Sequence, residues 1–191
     1  MKTTALSSRS VSFPYVLKFT DIHLYLFVVL FVALDVAVPW LCHWIHPLAG
    51  AIFLPMFFFV LLAGLLFGWR AGLLVGIMTP IISYGISGMP DPVVLPRILV
   101  QTTSCGFVAG FFIEQRRHTV FRSVISAMVI SHVAAGLAIL IMYGGAENPF
   151  DIIWKAAKMG LPGILLQLTL LPLLYKLLEQ SFSKFSPSDA P

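Results

Sequence analysis

Arg97 and Gln101 stand four residues apart, and that spacing puts both on one helix face. A guanidinium is a planar fork of donors that matches a carboxylate or a phosphate. If Arg97 and a lysine line a pocket, a substrate bearing one of those groups is favoured. The alternative use of Arg97 is a structural pair with Asp91. Aromatic and polar residues gather around the same end of the chain's apolar segments: Trp40, His43, Trp44 and His46 in one loop, Met89 and Asp91 in another, and Glu147, Asn148, Asp151, Trp154, Lys155 and Lys158 in a third. Apolar and aromatic walls with a few fixed polar groups are what a small-molecule pocket needs. The same residues have plainer uses. Tryptophans anchor at the membrane interface, and lysines reach out to headgroups. Asp35 and His132 lie deeper, each in the middle of an apolar run. Asp35 either bonds within a helix bundle or touches a substrate or partner, and His132 is either a satisfied core histidine or a pocket group.

Other chemistries find little support. His43 and His46 supply half of a metal site, with no nearby cysteine or Glu-x-x-His to complete it. No metal and no cofactor is expected. There is no HExxH, no paired acidic motif and no GxSxG, so catalysis is not expected. No G-x-x-x-x-G-K-[ST] loop is present to hold nucleotide phosphates. Cys42 and Cys105 do not form a disulfide framework.

The elements that position these residues must be membrane helices. Hydrophobic residues make up 59% of the 191 positions and charged ones 10%, against about a quarter charged in soluble domains. Between Leu24 and Trp69 the only Asp, Glu, Lys or Arg is Asp35. A helix needs about 20 apolar residues to cross the hydrocarbon. Six such spans are predicted, at 22–41, 49–67, 71–88, 94–113, 120–143 and 159–179, within a single membrane domain covering 1–191. The first reads as a retained span, because a polar stretch precedes it and no small-x-small cleavage site follows. Gly68-Trp69-Arg70 predicts a tight turn. Gly88-Met89-Pro90-Asp91-Pro92 cannot continue a helix. Asn148-Pro149 predicts a helix start, and Pro162 a kink or division before the last span.

The basic residues orient the bundle. With the N-terminus inside, nine of the twelve Lys and Arg fall on the cytoplasmic side, leaving Arg97, Lys155 and Lys158 outside. The positive-inside rule therefore puts both termini in the cytoplasm. This asymmetry accounts for the net charge of +4 without a nucleic-acid partner. Small residues mark faces for close approach: Gly64, Gly68, Gly72 and Gly76, then Gly106 and Gly110, then Ala33 and Ala37. Lipid gives helices no hydrophobic reason to associate, so close backbone packing must supply it. Such faces serve either packing within the chain or docking on another membrane protein.

Several motifs in order resemble the substrate-binding S component of an energy-coupling factor (ECF) vitamin transporter. Ala33-Leu34-Asp35-Val36-Ala37 is similar to the AxxxA pattern those proteins present to their membrane partner. Phe67 to Gly76 is similar to their G-x-x-x-G-x-x-x-G turn. Ser87-Gly88-Met89-Pro90, with Leu95-Pro96 and Gly106, resembles their third loop and fourth helix. The likeness covers 22–110. Gln101 and Cys105 depart from it, where many relatives carry an acid and an aromatic.

The resemblance implies an all-α, six-helix S-component bundle in a bacterial or archaeal cytoplasmic membrane. It would capture a vitamin or precursor from outside, and a coupling subunit with two ATPases would drive delivery. The expected substrate contacts are Trp40, His43, Trp44, Met89, Arg97, Gln101, His132, Asn148, Trp154 and Lys158. The expected docking residues are Ala33, Ala37, Gly72 and Gly76. A structural membrane scaffold with a similar span count is the competing reading. An outer pocket separates the two, because a scaffold has no reason to bind a small molecule there.

Overall fold

The computed structural model describes residues 16–46, 52–115, 119–143 and 148–184. Seven helices occur among them: α1 (Ile22–Ile45), α2 (Pro55–Phe67), α3 (Trp69–Ser87), α4 (Leu95–Glu114), α5 (Val120–Tyr143), α6 (Pro149–Met159) and α7 (Leu161–Lys184). The fold is therefore all-helical. Four segments are long and apolar enough to cross a bilayer: Ile22–Cys42, Trp69–Ser87, Val120–Met142 and Leu161–Leu178. α2 is as apolar but shorter, and α4 is diluted by Arg97, Gln101 and Glu114.

The breaks follow backbone chemistry. α2 passes into α3 through one residue, Gly68, at φ 86 and ψ 179. Only glycine enters that region readily. Gly68 N donates to Gly64 O at 2.9 Å to close α2, and Gly68 O accepts from Gly72 N at 3.2 Å to open α3. The third helix thus begins at Trp69, two residues before its predicted start, because the turn occupies no more than Gly68. α3 ends on Gly88, also left-handed at φ 70. The expected division before the last span is present, but it falls at Gly160. Pro162 sits inside the first turn of α7, where its missing N–H has no helical partner to lose. Asn148 caps α6 as its type predicts, its side chain accepting from Phe150 N at 3.1 Å.

α4 is the hub, packed against α2, α3 and α5. Its contact with α3 is backbone against backbone. A Cβ on Gly72 would collide with the main chain of Gly106, and one on Gly76 would lie 2.6 Å from Thr102 O. Pro80 in α3 has no N–H to give the carbonyl of Gly76. Thr102 Oγ1 donates to that carbonyl instead, at 2.7 Å. From Val60 to Phe67 every residue of α2 is buried, as expected of a helix apolar all round. Gly72 and Gly76 were expected at a docking surface, but both are buried in this internal seam. Their GxxxG spacing correctly marks close approach, and the helix that approaches is the chain's own α4.

Candidate functional site

A cavity of about 960 Å³ lies where α1 and α3 end and α2 and α4 begin. Helical periodicity sets its walls. On α1 the lining residues are Val36, Pro39, Trp40 and Trp44, all on one face. On α4 they are Arg97, Ile98, Gln101 and Cys105, so the Arg97–Gln101 face predicted from spacing continues one further turn inward. Ser83 and Ser87 contribute from α3, and Met89 and Asp91 from the loop after it. Met128, Ser131 and His132 line it from α5, and Gln167 from α7.

Hydrogen bonds fix several of these groups. Asp91 Oδ1 accepts from Val93 N at 2.8 Å, pinning the turn that leads into α4. Ser87 Oγ donates to Ser83 O at 2.8 Å. His132 Nδ1 lies 2.7 Å from Met128 O, and Ser131 Oγ donates to the same carbonyl at 2.9 Å. Gln167 Nε2 donates to Leu54 O at 3.0 Å, tying α7 to the start of α2. Leu54 itself sits in the left-handed region at φ 49.

The structure brings Trp40, Trp44, Met89, Arg97, Gln101 and His132 to one cavity. Asn148, Trp154 and Lys158 stand apart from it. α6 is amphipathic and turns Ile152, Ala156 and Met159 to the cavity, which leaves Trp154 and Lys158 on the far face. There Lys158 Nζ lies 5.0 Å from the Trp154 ring, and Trp154 stacks on Phe150. The side chain of His43, the residue Glu147 and the turn at 116–118 lie outside what the structure describes. Ser83, Ser131 and Gln167 were not anticipated. Gln167 has the same signal that drew attention to His132, a polar side chain inside an apolar run.

A second, open groove of about 680 Å³ runs between α1 and α3. Ala33 and Ala37 lie in it with Val29, Met78 and Ile82, and its walls are almost wholly apolar. Asp35, on the same helix, is fully buried. Its Oδ2 accepts from Thr79 Oγ1 of α3 at 3.0 Å, so it bonds within the bundle, while Oδ1 has no hydrogen-bond partner among the described residues.

The family described as ECF transporter, substrate-specific component, matches residues 24–175, well over half of the chain. The chain belongs to this family. No curated protein and no solved structure matches it. As a substrate-specific component it is a multi-pass membrane protein and a substrate-binding transport subunit of an ECF transporter, working beside the transporter's membrane and ATPase subunits. Members are transport subunits and not enzymes. The resemblance drawn from the motifs of 22–110 therefore extends along most of the chain.

Proposed function

We propose that this substrate-specific component captures a vitamin or related small molecule with high affinity in the cavity beside Arg97, and that the substrate carries an anionic group. The cavity opens toward the outer face of a bacterial or archaeal cytoplasmic membrane, six spans cross that membrane, and both termini are cytoplasmic. The observation that carries the reading is the cavity itself. Its volume lies at the upper end of the usual range for small-molecule sites, roughly 300–1,000 Å³. It has tryptophan and methionine walls and a guanidinium in the first turn of α4. A membrane scaffold has no use for such a space.

The proposal gives the α1 groove to the coupling subunit. Ala33 and Ala37 are exposed at its floor, where small side chains let a partner helix approach closely. Energy from ATP hydrolysis in the partner then reorients this subunit and releases substrate inward. Mass spectrometry of the small molecule that copurifies with the protein tests capture directly. A single stoichiometric compound is expected, and a protein that retains and binds none refutes the reading. Replacing both Ala33 and Ala37 with Leu is expected to abolish uptake and leave substrate affinity within about twofold. Lost affinity with normal complex assembly would overturn the docking assignment.

A further inference from the structure

Several side chains of the cavity give hydrogens to the protein's own backbone. A main-chain carbonyl can only accept, so the nitrogen of His132 that meets Met128 O at 2.7 Å, Nδ1, must be the one bearing hydrogen. In the uncharged ring Nε2 is then bare and can only accept. Ser131 has one hydroxyl hydrogen, and it goes to the same carbonyl, leaving oxygen lone pairs. Ser87 likewise gives its hydrogen to Ser83 O. Gln167 gives one amide hydrogen to Leu54 O and keeps the other along with its carbonyl oxygen. All four residues line the cavity. Arg97, whose guanidinium can only donate, stands at the other end of the α4 face. Cys105, two turns inward from it, is within hydrogen-bonding reach of Ser131. Those two turns are about 12 Å of helix axis.

We propose that the wall formed by Ser131 and His132 recognises N–H or O–H groups of the substrate. This selects a two-ended molecule, with amino, amide or hydroxyl hydrogens on a ring at the inner end and an acid toward Arg97. The inference rests on the capture reading and adds the polarity of the ligand to it. An acceptor-only ligand edge placed against Ser131 and His132 would leave buried acceptors facing acceptors, which costs more than the loss of one hydrogen bond.

A rigid matched pair tests it: 4′-aminobiphenyl-4-carboxylate, and the same acid with the amine dimethylated. The purified native protein in detergent is titrated with each, following the fluorescence of the cavity tryptophans. The amine is expected to bind saturably and at least tenfold more tightly than the dimethylated acid. In the Ser131→Ala, His132→Phe double variant the two acids are expected to converge to within about twofold. Equal affinities in the native protein, or no saturable binding of the amine, overturn the inference, and neither result depends on the variant folding. Mass spectrometry of the native extract separates this failure from failure of the capture reading. A bound compound lacking N–H and O–H hydrogens overturns the inference alone, whereas a protein that captures nothing overturns both.

Discussion

At the Gly68 end of the bundle α2, α3 and α4 meet backbone to backbone, whereas at the Trp40 end the same three helices stand around a cavity of about 960 Å³. The difference lies in the side chains on the facing surfaces. Gly64, Gly72, Gly76, Gly106 and Gly110 remove them, so main chains touch and dispersion acts over many short contacts. One turn beyond Gly76, Pro80 and Thr79 replace the glycines. Beyond them the facing residues are Ser83, Gln101 and Arg97, which cannot interdigitate so closely. One end holds the helices together, and the other is thereby left open without the bundle falling apart.

The largest effect should come from breaking the closed end. In Gly72→Leu the new side chain meets the main chain of Gly106, which cannot swing aside as a flexible side chain can. A loss of more than about 3 kcal/mol is expected, beyond the usual cost of overpacking. It would be read as loss of the monodisperse peak and a collapsed Tm in detergent. Ala156→Leu at the open end is the control. It projects into the cavity, so stability should hold while substrate affinity falls. Equal losses of Tm in both variants would refute the contrast between the ends.

Next is Arg97→Ala. A hydrogen bond to a charged group contributes about 1.5–3 kcal/mol, so affinity for the copurified substrate should fall by roughly 10- to 150-fold. Isothermal titration gives that quantity. Unchanged affinity would remove the anionic group from the proposed substrate.

Thr79→Val probes the layer between the two ends. It removes the donor to Asp35 Oδ2, an acceptor in a fully buried carboxyl. About 1–3 kcal/mol of stability should be lost, the cost of leaving a buried acceptor unsatisfied, and Thr79→Ser should restore most of it. If Val and Ser behave alike, the Asp35–Thr79 bond does not help join α1 to α3.

The fold was largely legible because membrane helices announce themselves through apolar length, and because Gly and Pro end them for backbone reasons. The fifth predicted span, 120–143, coincides with α5, and Asn148 opens α6 as its type requires. The cavity was less legible, for a physical reason. In a soluble protein a polar residue amid apolar ones points to a site, but at a membrane surface polarity equally marks contact with headgroups and water. Arg97, Gln101 and His132 lie within predicted spans, and they face the cavity. Asn148, Trp154 and Lys158 lie on an amphipathic helix, whose cavity face is the bland set Ile152, Ala156 and Met159. Gly72 and Gly76 show the same limit, since small-residue spacing reveals that a helix comes close without saying which one.

The smallest effect should therefore be that of Lys158→Ala. Lys158 and Arg97 are both cations near the open end, and from sequence either one could have held an anionic substrate. Lys158 is exposed, lies over the Trp154 ring and sits on the face of α6 turned from the cavity. A cation over an exposed ring contributes about 0.5–1 kcal/mol locally, and none of that reaches a ligand held on the opposite face. Affinity should stay within about twofold of the native value, where Arg97→Ala loses at least tenfold. A loss in Lys158→Ala as large as that in Arg97→Ala would mean that α6 turns its polar face to the substrate when bound, and the separation of the two cations would fail.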